Sequence, residues 1–352
     1  MIRGLRFMGQ PISRSLAFNA FWCLALIACQ APGGKEPRDA QAPEGSLAWI
    51  EQRIIDNPDD AALFAQRAAF FEGIDSLALA EADWKRAIVL DSANSAWRLA
   101  LGGLYFRKVR LVDAERSFQQ AIELAPTSTD ARSKLSELYL VQGRFKEAMA
   151  EANDALRLDP QNGQLYNLKG WIHRTAGDTD LAISSYQTAV ERDPDLYDAY
   201  ISLGILHAAR HDALALDYYD AAIAERPTSI EAHYNKAMFA QEHDRDSLAL
   251  ACYARIKEID PDYPLAYYNT GYILLEHQKK TLMAREQFQR AIAKMPTYTQ
   301  AWYSRGVTYE LEGRLDSAKA DYEQTLRIDP THTEAALGLS RLAAKGVKVK
   351  AR

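Results

Sequence analysis

The sequence predicts an all-α protein in which pairs of short helices repeat along the chain. Apolar and small residues three or four positions apart predict helices over 163–176 and 180–192. Gly177 interrupts the pattern, and glycine tolerates the positive φ that commonly ends a helix. Pro194 closes the second helix because proline has no backbone N–H to donate. Pro160 precedes Pro194 by 34 residues, so the repeating unit is 34 residues long.

The unit between these prolines carries a characteristic set of small and aromatic residues. In order, they are Tyr166, Gly170, His173, Gly177, Ala182, Tyr186 and Ala189. This pattern resembles the tetratricopeptide repeat, and similar patterns cover residues 61–332 in eight successive copies. The resemblance implies an all-α, right-handed superhelical solenoid of eight helix-turn-helix repeats. We expect Gly170 and Ala182 to bring the two helices close, with Tyr166, Tyr186 and Leu181 filling the space to either side.

The segments on either side of the repeats are predicted to cap the solenoid. Residues 46–60 form one predicted amphipathic helix, and residues 333–345 form another. A terminal repeat needs such a cap because its apolar face would otherwise meet water. Residues 346–352 form a basic tail that we expect to be solvated.

Residues 1–28 are predicted to be a targeting segment rather than part of the fold. They contain three arginines and no acid, and they end in a mostly apolar run of 13 residues over 16–28. Such a run is too short to span a bilayer comfortably as a helix. Residues 26–29, with the sequence LIAC, resemble the bacterial lipoprotein box. This resemblance implies cleavage before Cys29 and a lipid on its thiol. An ordinary signal peptide with an incidental cysteine is the alternative.

Residues 29–45 are predicted to be a flexible tether, since they are rich in proline and glycine and poor in apolar residues. With a lipid on Cys29, this tether would attach the protein to a membrane of the bacterial cell envelope. Gln30 follows the cysteine, at the position where aspartate is the inner-membrane retention signal of enterobacterial lipoproteins. The sequence therefore favours the outer membrane, with the repeats facing the periplasm.

The charge balance and the remaining motifs argue against several function classes. Beyond residue 28, 39 Lys and Arg stand against 47 Asp and Glu, and the net charge of −8 opposes electrostatic binding to nucleic acid. No phosphate-binding loop, G-x-S-x-G or G-x-G-x-x-G motif occurs. His207 and His211 share a predicted helical face, but packed histidines are expected there rather than a metal site, because no third ligand is nearby. Cys252 is interpreted as a small buried apolar residue.

The resemblance implies that the first helix of each repeat lines an inner groove. Its second, fifth, ninth, twelfth and thirteenth positions face a ligand in this family. The residues predicted to bind a partner there are Asn167, Trp171, Arg174, Tyr234, Met238, Tyr268, Tyr272, Glu276, Tyr303 and Glu310. Tyrosines at equivalent positions would offer large contact area at low entropic cost. The alternative is that these aromatic residues pack between helices and only stabilise the solenoid.

Receptors of this family that bind chaperone tails clamp a carboxylate with Lys and Asn, and only Asn167 matches that pattern in type. A neutral or basic peptide or helix segment of a protein partner is therefore the expected ligand. The predicted function is a non-catalytic protein-interaction scaffold or adaptor, with no cofactor, no metal and no nucleic-acid partner. A glycan- or small-ligand-binding lipoprotein that uses the same aromatic groove is the alternative.

Overall fold

The computed structural model describes residues 43–348, in which the chain forms eighteen α-helices and no β-strand. A first helix, α1 (Leu47–Asp56), and a last helix, α18 (Thr333–Ala344), flank eight helix pairs. The pairs are α2 (Ala61–Gly73) with α3 (Leu77–Leu90), α4 (Ser95–Arg107) with α5 (Leu111–Leu124), α6 (Thr129–Val141) with α7 (Phe145–Leu158), α8 (Gly163–Ala176) with α9 (Thr179–Arg192), α10 (Tyr197–Ala209) with α11 (Leu214–Glu225), α12 (Ile230–Glu242) with α13 (Asp246–Ile259), α14 (Pro264–Glu276) with α15 (Thr281–Lys294), and α16 (Thr299–Leu311) with α17 (Leu315–Ile328). The predicted all-α architecture of repeated helix pairs is confirmed.

The predicted targeting segment, 1–28, and Cys29, the predicted site of a lipid, lie outside the described residues, as do most of the predicted tether and the end of the basic tail. None of the helices between residues 43 and 348 combines the length and the apolar character needed to cross a membrane. The description that follows therefore concerns the helical repeats and their two flanking helices.

Five of the eight first helices begin at side chains that accept backbone N–H groups. Asn162 accepts a hydrogen bond from the Leu165 amide at 3.3 Å, which satisfies one of the unpaired donors at the start of α8. Four other first helices begin in the same way, at Asp60, Asn94, Ser128 and Ser229. Local chemistry therefore marks where most of the units begin.

Each pair turns at one residue in the left-handed backbone conformation. Gly177 has a φ of 93°, which confirms the turn predicted between α8 and α9. The equivalent residues of the other pairs are Asp75, Val109, Gly143, His211, Asp244, Lys279 and Gly313. The chain therefore reverses at the same place in every unit, whether or not that place holds a glycine.

Inside a pair, a glycine of the first helix lies under an aromatic ring of the second. A Cβ atom placed on Gly170 would lie 2.6 Å from Cδ1 of Tyr186, closer than side-chain carbons approach. Tyr186 is 1% exposed, so its ring has no free space into which to move. The same arrangement joins Gly102 with Phe118, Gly204 with Tyr219, Gly271 with Phe288, and Gly306 with Tyr322. In these pairs, a ring resting on bare backbone sets the distance between the helices.

The packing around Gly170 differs in one respect from the prediction. Ala182 is fully buried, as expected, but Leu181 is 53% exposed and does not fill the space between the helices. Successive residues of a helix point about 100° apart, so with Ala182 directed at α8 its neighbour turns outward. The partly buried Tyr166 packs against the cluster that contains Tyr186, as predicted.

The pairs stack into a curved array. First helices of neighbouring pairs contact each other directly. These contacts join α4 with α6, α6 with α8, α10 with α12, and α14 with α16. No two second helices approach each other to the same extent. The first helices therefore lie on the shorter, inner side of the stack, and their outward-facing residues form its inner face.

A charged cluster fastens α18 to the last pair. Glu310 of α16 accepts hydrogen bonds from the Tyr322 hydroxyl at 2.8 Å, from Arg341 at 2.9 Å and from Lys345 at 3.2 Å. The hydrogen bond from Arg341 is the main reason that the pKa of Glu310 falls to about 2, since burial acts in the opposite direction. Leu342 of α18 is fully buried in the same region. The last helix thus combines apolar burial with ion pairing.

Gly170→Ala is expected to lower the free energy of unfolding by about 1–3 kcal/mol, because the added methyl group meets the Tyr186 ring. Gly103→Ala is the matched control. No atom would lie within 4 Å of a Cβ on Gly103, so alanine there should stabilise α4 by about 0.5–1 kcal/mol. Urea unfolding of the full-length variants, followed by circular dichroism, measures both changes. A Gly170→Ala protein as stable as the wild type would contradict the ring-on-backbone packing.

The Glu310 cluster predicts an acid-dependent loss of stability. The folded-state pKa of about 2 lies below the ordinary value of 4.5, so the cluster stabilises fully above pH 4.5 and its contribution is lost as the pH falls toward 2. Glu310→Gln should therefore cost about 1–3 kcal/mol at pH 7, and the difference from the wild type should disappear near pH 2.

Thermal unfolding of both proteins between pH 2 and pH 7 tests this expectation. Glu276→Gln is the control, because Glu276 is exposed and forms no ion pair within residues 43–348. A difference between Glu310→Gln and wild type that stays constant with pH would show that the cluster does not stabilise α18 through charge.

Candidate partner-binding face

The predicted tyrosines Tyr234, Tyr268 and Tyr303 lie on α12, α14 and α16, and each is partly buried. Each ring packs against an aromatic residue of the second helix of its own pair and against the residue before the next first helix. The ring centroids are separated by 6.2 Å for Tyr234 and Tyr253, 6.1 Å for Tyr234 and Tyr263, 5.7 Å for Tyr268 and Phe288, 5.0 Å for Tyr268 and Tyr298, 5.7 Å for Tyr303 and Tyr322, and 5.0 Å for Tyr303 and His332. The three rings therefore take part in packing between helices as well as in the inner face.

Two of these contacts stand where other pairs have a helix cap. Tyr263 and Tyr298 precede α14 and α16 and make no capping hydrogen bond, whereas Ser128 caps α6. At these two positions the side chain packs on a ring, Tyr234 or Tyr268, and does not cap the helix. Burial raises the pKa of the Tyr234 hydroxyl, which stays neutral and accepts a hydrogen bond from Nδ2 of Asn269 at 3.4 Å.

A set of exposed apolar side chains of the inner face stands four residues after the tyrosine position. Trp171 is 40% exposed, and Ile205 and Tyr272 are each 37% exposed. Two partly buried residues occupy the same position in the remaining C-terminal pairs, Met238 and Val307. We call these five residues, Trp171, Ile205, Met238, Tyr272 and Val307, the apolar row. They supply one apolar side chain from each first helix between α8 and α16.

The apolar row does not extend into the N-terminal pairs. The equivalent positions there hold Ala69, Gly103 and Glu137, two small residues and one charged residue. Ile205 is absent from the predicted set of binding residues, although the same count of positions within residues 197–229 identifies it. The apolar row is therefore confined to the C-terminal five pairs.

The other predicted residues are distributed unevenly. Arg174 and Glu276 are exposed, and Asn167 is partly buried. The sulfur of Met238 accepts a hydrogen bond from the Tyr253 hydroxyl at 3.3 Å. Glu310 is occupied by the cluster that holds α18, because its ion-pair partners belong to the flanking helix rather than to another repeat. It is therefore less available to a ligand than its position predicts.

The basic side chains that α10, α12, α14 and α16 contribute to this face are neutralised within the protein. Lys236 and Arg305 are the only Lys or Arg residues in α10, α12, α14 and α16. Lys236 is ion-paired with Asp220, and Arg305 forms two hydrogen bonds with Asp321, at 2.7 Å and 2.8 Å. The electrostatic character of this part of the face therefore depends on its carboxylates, whereas Arg174 of α8 is exposed.

The histidine and cysteine side chains have packing partners. Nδ1 of His207 lies 2.8 Å from Asp212, and its ring packs on Tyr218, which confirms the expectation of a packed, hydrogen-bonded histidine. His211 packs against His243 instead of sharing a ligand with His207. Cys252 is buried, as predicted, and burial raises the pKa of its thiol. Between residues 43 and 348, no three His, Cys, Asp or Glu side chains are grouped so that they could hold a metal ion.

Three family models, each described as tetratricopeptide repeat, match the chain. One matches residues 110–172, another 299–332, and the third 75–129 and 167–230. Together they cover residues 75–230 and 299–332, more than half of the 352 residues. No curated protein matches the sequence.

Solved structures share the helical architecture. The C-terminal part of a repeat-containing protein from Cytophaga hutchinsonii has a TM-score of 0.60 at 18% identity, over 68% of this chain and 99% of that chain. A protein from Parabacteroides merdae has a TM-score of 0.46 at 15% identity, over 71% and 98%. YrrB, described as having an unusual peptide-binding site, has a TM-score of 0.40 at 24% identity, over 52% and 95%. With the repeat matches and the Cytophaga fold in agreement, the chain is a tetratricopeptide-repeat protein.

Proposed function

We propose that this protein is a non-catalytic scaffold that holds a peptide or helix segment of a protein partner on the inner face of its C-terminal five helix pairs. The observation that carries the proposal is the apolar row, whose members are all partly exposed. Apolar side chains gathered on one surface are typical of interaction sites. A segment lying across the first helices would meet one of them at every repeat.

The tyrosines beside the apolar row support this proposal by making the face rigid. Tyr234, Tyr268 and Tyr303 are each held by two neighbouring rings, so their side chains have little freedom left to lose when a partner binds. Their partly exposed faces would add apolar contact area beside the row. Binding to such a surface costs less side-chain entropy than binding to flexible loops.

We also propose that the protein is a lipoprotein of the bacterial cell envelope, anchored through Cys29 to the outer membrane and facing the periplasm. The support is sequence alone, namely the basic and then apolar character of residues 1–28 and the cysteine that follows them.

The scaffold proposal predicts that the apolar row determines which proteins are recovered with the full-length chain. Detergent-solubilised wild-type protein, an Ile205→Ser/Tyr272→Ser variant and a Leu79→Ser/Leu282→Ser control would be incubated with a bacterial envelope extract. Leu79 and Leu282 are 53% and 61% exposed on second helices, so the control removes apolar side chains that are more exposed than Ile205 and Tyr272 but lie away from the inner face.

A partner should be recovered with the wild type and the control and be reduced about ten-fold or more with the row variant. Fluorescence anisotropy should show that a synthetic segment of that partner binds the wild type and the control more tightly than the row variant. Circular dichroism should confirm that all three proteins are folded. Equal recovery of the partner with the wild type and with the row variant would show that the partner binds somewhere other than the apolar row. Binding of a purified glycan to the row, with no protein recovered, would instead support the glycan-binding alternative.

The lipoprotein proposal predicts that a clickable fatty-acid analogue labels the full-length chain in bacterial cells. Labelling should disappear in Cys29→Ser and persist in the controls Cys23→Ser and Cys252→Ser. A wild-type chain that is processed but unlabelled would favour the ordinary signal peptide, and label retained in Cys29→Ser would place the lipid on another residue.

A further inference from the structure

Two carboxylates border the C-terminal part of the apolar row. Glu242 and Glu276 are the last residues of α12 and α14, and both are exposed. Each follows a member of the row, Met238 or Tyr272, by four residues. Residues four apart lie on the same face of a helix, so each carboxylate lies one turn beyond an apolar contact.

Neither carboxylate has a hydrogen-bond or ion-pair partner in the described part of the chain. No hydrogen bond or ion pair involves Glu242 or Glu276 within residues 43–348. Glu310, on the next first helix, is by contrast paired with Arg341 and Lys345. The two unpaired carboxylates are therefore free to pair with a charged group from outside the protein.

The opposite border of the row is also acidic. Asp198 and Glu231 lie in the first turns of α10 and α12, seven residues before Ile205 and Met238, and both are exposed. Seven residues are close to two helical turns, so these carboxylates lie on the same face as the row. Glu231 accepts a hydrogen bond from the Tyr197 hydroxyl at 3.1 Å, and Asp198 lies 3.9 Å from Arg226. The row therefore runs between two acidic borders.

The cations of these helices do not offset this charge. Lys236 and Arg305 are already paired with Asp220 and Asp321, as described above. A ligand carrying carboxylates would be repelled by the borders, and a purely apolar ligand would gain nothing from Glu242 and Glu276. Lys and Arg side chains fit both features, because their methylene stems pack on apolar surface while their charged ends reach carboxylates.

We infer that the segment bound on this face is a basic amphipathic peptide, with apolar residues on the apolar row and Lys or Arg residues at Glu242 and Glu276. The inference rests on the proposed function and names the chemistry of the partner. The apolar side chains supply most of the contact, while the charges select among partners and set the salt dependence of binding.

Three fluorescein-labelled peptides of equal length test this inference, with identical apolar residues and with Lys, Gln or Glu at the remaining positions. The proteins are the full-length wild type, Glu242→Gln/Glu276→Gln, and the control Glu123→Gln/Glu286→Gln. Glu123 and Glu286 are exposed residues of second helices that form no ion pair within the described residues. The control therefore removes the same number of negative charges without touching the inner face.

The Lys peptide should bind the wild type about ten-fold or more tightly than the Glu peptide, and added salt should narrow that difference. Glu242→Gln/Glu276→Gln should weaken the Lys peptide about three- to ten-fold, and the control should leave it unchanged. If Glu123→Gln/Glu286→Gln weakens binding of the Lys peptide as much as Glu242→Gln/Glu276→Gln does, then the net charge of the protein, not this face, attracts the peptide. That result would overturn the inference.

Other outcomes separate this inference from the proposed function. If the Gln or Glu peptide binds as tightly as the Lys peptide and Ile205→Ser/Tyr272→Ser abolishes that binding, the face binds peptides and only the basic ligand is wrong. If none of the three peptides binds, the basic ligand is overturned, and the recovery experiment with envelope extract then decides the proposed function separately.

Discussion

The contact on which this protein depends is that between a glycine of one helix and an aromatic ring of the next. In the α8–α9 pair, a Cβ on Gly170 would lie 2.6 Å from the Tyr186 ring, so the two helices approach as closely as backbone and ring allow. Four other pairs have the same contact. Because a single repeat buries little by itself, this fixed separation lets successive pairs stack with similar geometry and share one continuous apolar interior.

The fixed stacking explains how short helices can present an ordered surface. When every first helix has the same position in its pair, the residues at one position of each repeat form a row across the stack. Trp171, Ile205 and Tyr272 form such a row. These residues are partly exposed, so their identity is constrained less by the interior than that of Gly170 or Tyr186. The apolar and acidic character of the C-terminal inner face can therefore differ from that of the N-terminal pairs without a change of fold.

The end of the stack is stabilised differently from its middle. A middle pair buries its apolar surface on two neighbours, whereas the last pair needs α18 to cover one side. Glu310 joins these elements through Arg341 and Lys345, and its lowered pKa reflects that pairing. A position that faces the groove in an internal repeat is thus used at the end of the stack to hold the flanking helix.

The sequence by itself determined the helix pairs, their 34-residue period, the turn at Gly177 and the burial of Ala182, because each follows from spacing and local backbone preference. Only the tertiary structure decided how far each inner-face side chain is exposed. Tyr234, Tyr268 and Tyr303 are covered by residues about thirty positions later, Tyr263, Tyr298 and His332, and counting positions within one repeat does not reveal such neighbours. For the same reason, the sequence did not reveal that Leu181 is exposed or that Glu310 is ion-paired with the flanking helix. Burial and ion pairing depend on how separate units meet, whereas the period depends on each unit alone.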